Sequence, residues 1–376
     1  MSIGPNAVCP FAPGAVPGTC SPCRTTALSC YNYVLMKVAR LHSYNDIRVE
    51  EIPVPEVGPG EALVRTRACG ICSGDVMPWY IEKKAPLVLG HEPAGEIAGV
   101  GSGVTSYQKG DRVFVHHHAP CLRCRFCLRG DYVQCSTWKS SGIIPGGVSE
   151  YILVPSVNLR NDTLRLDDSM SFEDATLIEP VACVVKGLNR AVIRSGDTVL
   201  IIGLGVMGMI NLLVSKAYGA GKIICADMVR FRLDRAAALG ADAVIDVSKE
   251  TLCGGLSRMT HGDMAELVIV GPNSAAAMLQ GIDCVRPGGT VLLFTPAKPG
   301  ENLVIDPNYL YFRDINLVTS YSCGPSDTAE AFGLIKKGIV SAAQLVTHRF
   351  PIDRTAEAFR LTAAAGASLK SLIVFD

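Results

Sequence analysis

Four cysteines within fifteen residues, Cys121, Cys124, Cys127 and Cys135, are spaced C-x2-C-x2-C-x7-C. Spacing this close lets one tight loop wrap its thiolates around a tetrahedral ion, with backbone N–H groups free to support the sulfurs. Cysteine fills every ligand position, so no place is left for water or substrate. The spacing therefore predicts a structural zinc, with a ferredoxin-type iron–sulfur loop as its competitor. Chemistry on a substrate must lie elsewhere.

A second group is the turn GLGVMG, comprising Gly203, Gly205, Val206, Met207 and Gly208 around Leu204, directly after the apolar run VLII. Strand, glycines and helix in that order supply a tight turn, close approach of a pyrophosphate and a helix N-terminus that favours anions. Asp227 ends the next strand-like run, KIICAD, nineteen residues after Gly208. A carboxylate there can accept hydrogen bonds from the ribose hydroxyls of an adenosine and repels a 2′-phosphate, which favours NAD over NADP. Arg230 and Arg232 follow at once and weaken that preference; Arg232 is carried as a candidate cofactor contact.

The elements that must position these groups are legible in the texture of the chain. Residues 1–35 are rich in Pro, Gly, Ser and Cys without period, and read as an unpacked, disordered extension; Cys9, Cys20, Cys23 and Cys30 are read as part of that tail rather than as another zinc site. From Met36, strand-like runs bounded by Pro and Gly dominate to about residue 160. Strand and helix then alternate through 190–318, the pattern of a parallel sheet covered by helices. The last stretch contains two helical segments, TAEAFGLIKKG and TAEAFRLTAAAG, and a closing strand, LKSLIVFD.

The totals bound the partners. With 376 residues and 48% hydrophobic composition, two domains are the default. Lys plus Arg and Asp plus Glu both number 35, so no bulk field draws in nucleic acid or a membrane surface, and a small molecule is the expected partner. The longest apolar run, VLIIGLGVMGMI, is well short of the roughly 20 residues that cross a bilayer. No secretory pattern opens the chain, so a cytoplasmic setting is expected, in which the fifteen cysteines serve as metal ligands and small buried residues rather than disulfides.

GHEPAGEIAGVGSGV, residues 90–104, is the most specific stretch. Its pattern GHExxGx5GxxV, with GICSGD upstream and the cysteine loop and GLGVMG downstream, resembles the zinc-dependent medium-chain alcohol dehydrogenase family over Met36 to Asp376. The resemblance implies an α/β chain: a GroES-like, mostly-β catalytic domain over 36–185, a Rossmann NAD-binding domain over 186–318 with a doubly wound parallel sheet, and a return to the catalytic domain over 319–376. It places the first catalytic zinc ligand on Cys72 rather than Cys69, the second on His91 and the third on Glu179 in LIEPVA. Glutamate at that third place marks the polyol (sorbitol) and threonine dehydrogenase branch. Glu92 matches a glutamate beside the metal that binds it directly in some members, Asp75 a carboxylate that orients the ligand histidine, and Lys370 a basic residue near the cofactor pyrophosphate.

Three protein ligands of mixed N, O and S type leave one position open, as catalytic zinc requires. The implied activity is oxidation of a secondary alcohol, such as a polyol or sugar derivative, to a ketone, with zinc as Lewis acid and NAD as hydride acceptor. L-threonine 3-dehydrogenase and a catalytically silent zinc and nucleotide binder are the alternatives. The resemblance also implies a homo-oligomer, tetramer or dimer.

One part of the family pattern is broken. The Ser or Thr two residues after the ligand cysteine and the His three further on, which carry the alcohol proton away, are Gly74 and Met77 here. His117 and His118 fall where the family has a pocket-lining residue and, in threonine dehydrogenases, a histidine. An imidazole accepts a proton near neutral pH, and strand alternation in VFVHHHAP sends neighbouring side chains to opposite faces, so one of the two is expected to face the site. Trp79 and Tyr80 are candidate pocket-lining residues.

Overall fold

A computed structural model describes residues 34–376. The reading of 1–35 as an extension therefore falls, but for its last two residues, outside the described residues.

Two sheet systems carry the fold, as the motif order implied. The first is antiparallel apart from one parallel pair at its edge. Strands run in the spatial order Val346–Pro351, Lys370–Val374, Ala62–Gly70, Glu92–Val100, Arg112–Val115 and Thr163–Arg165, with Tyr151–Val154 also paired to Ala62–Gly70. A smaller sheet of Asp46–Pro53, Leu35–Ser43 and Leu87–Val88 lies beside it. In the larger sheet Gly70 is the Cα partner of both Glu92 and Leu372, so the register brings the GHE segment and the LKSL segment together on either side of one glycine.

The second sheet has six parallel strands, in the order Ala243–Asp246, Lys222–Asp227, Thr198–Ile202, Ala265–Val270, Val285–Leu293, Asn316–Thr319. Along Thr198–Ile202, Val199 and Ile201 enter one hydrophobic cluster while Leu200 and Ile202 enter another. Both faces are thus apolar and helix-covered, which is why the strand reads as a continuous run rather than an alternating one. The chain reverses its spatial direction between Thr198–Ile202 and Ala265–Val270, and a crevice opens beyond the carboxyl ends of strands at such a switch point.

Helix Ile178–Ala191 links the two systems. Its Val181, Ala182, Val184, Val185 and Leu188 are fully buried in a core that contains both Phe114 of the first sheet and Ile201 of the second. Its broad apolar face is buried on both sides while Asn189 and Arg190 reach solvent, and that burial fixes its register. Its first turn carries Glu179, buried at 5% exposure.

One expectation about the cysteines is corrected. Cys253 and Cys284 form a disulfide. The two Cα atoms are brought to 5.3 Å by helix Leu252–Thr260 and the end of helix Ala275–Asp283, within bridging range. Nothing in their spacing of 31 residues could announce that approach.

Candidate functional site

The cysteine loop closes on itself. The sulfurs of Cys121, Cys124, Cys127 and Cys135 all lie within 4.8 Å of one another, with Cys124 to Cys127 at 3.5 Å and Cys121 to Cys127 at 4.0 Å. A tetrahedral site with Zn–S bonds of about 2.3 Å has sulfur–sulfur edges of about 3.8 Å, so the loop fits a zinc ion. Burial opposes a thiolate at Cys135, but N–H groups of Cys121 and Trp138 outweigh it and bring the thiol down to about 6. A sulfur prepared in this way ligates without further rearrangement.

Cys72, His91 and Glu92 converge from the loop after Ala62–Gly70 and the start of Glu92–Val100, with one ligand atom each within 4.8 Å of the others. Gly90, just before His91, has φ +92°, and a Cβ on it would come within 2.8 Å of the Cys69 sulfur and 2.7 Å of Val148. Only glycine makes this turn, and it aims His91 inward. Cys69 itself is fully buried, and burial pushes its thiol up to about 12, so Cys72 is the cysteine available as a ligand.

The charges around the group favour a cation. His91 Nδ1 lies 3.3 Å from Asp75 Oδ2, which leaves the other ring nitrogen for a metal. Burial works against a charged His91, yet Asp75 and Cys72 outweigh it and hold its pKa well above the ordinary value; a potential that holds a proton there also holds a metal ion. Glu92 is paired through Oε2 with the Lys370 ammonium, which also donates to the Ile71 carbonyl at 3.1 Å. The other oxygen, Oε1, is buried and has no hydrogen-bond partner among the described residues. A buried carboxylate oxygen without a donor is costly unless something else binds it, and sulfur, nitrogen and oxygen donors together suit zinc.

Two expectations are corrected here. Glu179 does not stand with Cys72 and His91: its carboxylate groups with His116 and His117 on one side and with Cys183 and Cys323 on the other, and accepts from the Cys183 thiol at 3.4 Å. Cys183 sits one helical turn further along the same face, which draws the carboxylate toward it. Glu92 is the carboxylate that lies within 4.8 Å of the Cys72 and His91 ligand atoms. Lys370, expected beside a cofactor pyrophosphate, is 1% exposed and committed to Glu92 and Ile71.

Of the histidine run, His117 faces the site. Its ring centroid is 4.9 Å from that of His91, and Nδ1 has no partner among the described residues. Burial first, then the neighbouring imidazoles of His116 and His91, pushes its pKa well below the usual value, so it is a neutral acceptor at neutral pH. His118 turns the other way, with Nδ1 2.5 Å from the Ser141 carbonyl and its ring 4.4 Å from that of Trp138. His116, which sequence reasoning passed over, is fully buried with Nδ1 2.6 Å from Asp162. Alternation from buried Phe114 points to that inward face, but no sequence signal pairs it with Asp162.

Gly74 and Met77 border Cys72: Gly74 N donates to the Cys72 sulfur at 3.3 Å. Met77 Sδ lies 3.6 Å from Asn273 Nδ2, which follows strand Ala265–Val270, so the parallel-sheet crevice opens beside the Cys72 loop. Trp79 and Tyr80 follow on helix Pro78–Ile81, with rings 5.9 Å apart and the Lys84 ammonium 3.7 Å above the Tyr80 ring.

In the crevice, Gly203 has φ +86°, and a Cβ on Gly208 would stand 2.1 Å from the Gly203 carbonyl, so helix Val206–Ala217 packs against the turn only because both are glycine. A Cβ on Gly205 would meet nothing within 4 Å, which leaves the helix N-terminus, with Val206 and Met207, open to an anion. Asp227 accepts from Leu204 N at 2.7 Å through one oxygen and from Met228 N at 2.7 Å and Val229 N at 2.9 Å through the other. Arg232 donates through Nη2 to the Ala365 carbonyl at 2.6 Å and pairs through Nη1 with Asp227 at 3.6 Å.

Known proteins resemble this chain in sequence and fold. Residues 58–161 match the alcohol dehydrogenase GroES-like domain and residues 206–337 the zinc-binding dehydrogenase domain. A sorbitol dehydrogenase of Bombyx mori is 33% identical over 349 residues, 89% of this chain and 97% of that protein. Among solved structures, 2R,3R-butanediol dehydrogenase from Bacillus subtilis superimposes with a TM-score of 0.80 at 25% identity, covering 91% of this chain and 100% of that one. A Sinorhizobium meliloti protein bound to NADP superimposes with a TM-score of 0.82 at 27% identity, with coverage of 91% and 100%.

Proposed function

Because this chain belongs to the zinc-dependent medium-chain alcohol dehydrogenase family, we propose that it oxidises a secondary alcohol of a polyol or related small hydroxylated metabolite to the ketone, with NAD. One observation carries the reading: a Cys72, His91 and Glu92 ligand group lies beside the glycine-turn crevice, joined to it across the Met77–Asn273 contact. Sorbitol and 2R,3R-butanediol, the substrates named for two relatives, both present a secondary hydroxyl with an oxygen on the next carbon. Those names disfavour the threonine alternative.

Bound zinc supplies a Lewis acid that favours loss of the hydroxyl proton, and bound NAD supplies the hydride acceptor. Cys72, His91 and Glu92 are the residues that would hold the metal. Asp75 fixes the His91 ring through Nδ1, and Lys370 fixes the Glu92 carboxylate. With no hydroxyl or imidazole at Gly74 and Met77, the His117 ring, kept neutral by burial, accepts a hydrogen bond from the substrate hydroxyl. Asp227, a carboxylate at the strand end, supports NAD over NADP, and Arg232 pairs with it at 3.6 Å rather than standing free for a 2′-phosphate.

The test is reduced-cofactor absorbance with NAD or NADP and a panel of sorbitol, xylitol, 2,3-butanediol, a primary alcohol and threonine, repeated after zinc is removed. Turnover of the polyols with NAD, lost on chelation, is expected. Cofactor fluorescence that changes without turnover of any alcohol overturns the reading in favour of a silent binder.

A further inference from the structure

Two ammonium groups converge on one aromatic ring beside the Cys72 loop, and neither has a counter-charge. Lys84 Nζ stands 3.7 Å from the centroid of the Tyr80 ring and Lys83 Nζ 5.8 Å from it. Tyr80 lies on helix Pro78–Ile81, directly after the loop that carries Cys72 and Met77, and its N–H donates to the Met77 carbonyl at 3.0 Å. The face of an aromatic ring attracts a cation, so Lys84 is held in one place against the ring. Neither ammonium enters an ion pair among the described residues, and the neighbouring carboxylate, Glu82, is taken by the Tyr44 N–H at 2.6 Å. Two like charges over one ring repel each other, and an anion between them removes that cost.

The groups around Tyr80 add donors. Tyr321 presents its hydroxyl to that of Tyr80, and partial burial raises the pKa of both, so both stay protonated at neutral pH. The Lys186 ammonium donates to the Tyr321 carbonyl at 2.7 Å and fixes that residue. Trp138 is 3% exposed, its ring lies 6.1 Å from that of Tyr321, and its Nε1–H is buried without a partner among the described residues. Ring contacts lead from Trp138 back to the metal group, through His118 at 4.4 Å and His117 at a further 4.4 Å to His91 at a further 4.9 Å. Tyr80 is thus joined to the metal group twice, by the Cys72–Met77 loop and by this run of rings, and the charge of Lys84 acts on Asp75 and His117 between them. Ammonium, hydroxyl and indole donors together suit a group that only accepts, a carboxylate or a phosphate.

We propose that the alcohol oxidised by this chain carries an anionic group, a carboxylate or a phosphate, which Lys84 binds together with the hydroxyls of Tyr80 and Tyr321 while a secondary hydroxyl of the same molecule reaches the Cys72 group. The proposal rests on the dehydrogenase reading and narrows its substrate class from neutral polyols to polyhydroxy acids or polyol phosphates. Lys84 is then the residue that selects among them. It touches the substrate at the end remote from the reacting carbon, so its contribution falls on binding rather than on the hydride step.

The experiment uses the full zinc-loaded chain and three compounds, sorbitol, gluconate and sorbitol 6-phosphate, which share a run of secondary hydroxyls and end in a neutral group, a carboxylate and a phosphate. Reduced-cofactor absorbance with NAD gives kcat/KM for each, and calorimetric titration of the NADH-bound chain, in which no alcohol is oxidised, gives affinity without turnover. One of the anions is expected to bind about tenfold or more tighter than sorbitol and to gain in kcat/KM through KM, and whichever does so identifies the group. Lys84→Met should abolish that preference and Lys84→Arg should keep most of it. Sorbitol binding as well as both anions, or a preference that survives in Lys84→Met, overturns the proposal. Anion binding that depends on Lys84 with no alcohol turned over sinks the dehydrogenase reading and leaves the anion site standing. Turnover of sorbitol with no preference for either anion sinks the anion site alone.

Discussion

The ammonium of Lys370 and the carboxylate of Glu92 form an ion pair in which each side chain is 1% exposed. The two residues are 278 apart in the chain and meet because strands Lys370–Val374 and Glu92–Val100 flank strand Ala62–Gly70. A Cβ on Gly70 would lie 1.8 Å from Glu92 Oε2 and 2.8 Å from Lys370 Cε, so the pair exists only because the strand between has no side chain at that point. Removing one partner of a buried pair strands the other charge at a cost of about 3–5 kcal/mol. Lys370→Met is therefore expected to lower unfolding free energy by that amount in urea titrations, and Gly70→Ala to lose zinc from the Cys72 group. A Lys370→Met chain with unchanged stability would show the pair to be dispensable.

Asp75 holds the His91 ring at 3.3 Å, so in the proposed zinc site it would act on the metal through His91. Outer carboxylates of this kind contribute about 10–100-fold to metal affinity. Competition with a chromogenic chelator should show Asp75→Asn releasing zinc from the Cys72 group within that range while the cysteine-loop zinc stays bound. Equal release from wild type and variant would remove Asp75 from this role.

His118 gives a pH dependence with a definite sign. Burial outweighs the Ser141 carbonyl and lowers its pKa from 6.5 to about 4 in the folded chain. Between those values the unfolded chain takes up the proton and the folded chain does not. The contribution is therefore fully present above pH 6.5 and is lost as pH falls toward 4, on the order of 3 kcal/mol. His118→Gln, which keeps a donor for Ser141, should flatten the decline in urea midpoint between pH 6.5 and 4 relative to wild type. Parallel curves would refute the assignment.

Asp227→Asn removes the charge that faces a 2′-phosphate while keeping an acceptor for Leu204 N–H. A unit charge about 4 Å away across a partly solvated gap is worth roughly a factor of ten in binding. The ratio of kcat/KM for NAD over NADP should fall by about tenfold. A constant ratio would move cofactor choice to other residues.

What could be read from the chain alone was local. The C-x2-C-x2-C-x7-C loop, the GHE turn and GLGVMG each place their groups within a few residues, so spacing nearly dictates geometry, and strand–helix alternation sufficed for the parallel sheet. Alternation likewise anticipated that one of His117 and His118 faces the site. Contacts between distant segments were beyond it. Whether Glu179 turns to Cys72 or to Cys183, whether Lys370 reaches a cofactor or Glu92, and which partner buried His116 finds depend on strand order and on how helix Ile178–Ala191 seats between the sheets. Side-chain direction at those places is set by competition between near neighbours and ones brought from as far as 278 residues away, and that competition is settled only in three dimensions.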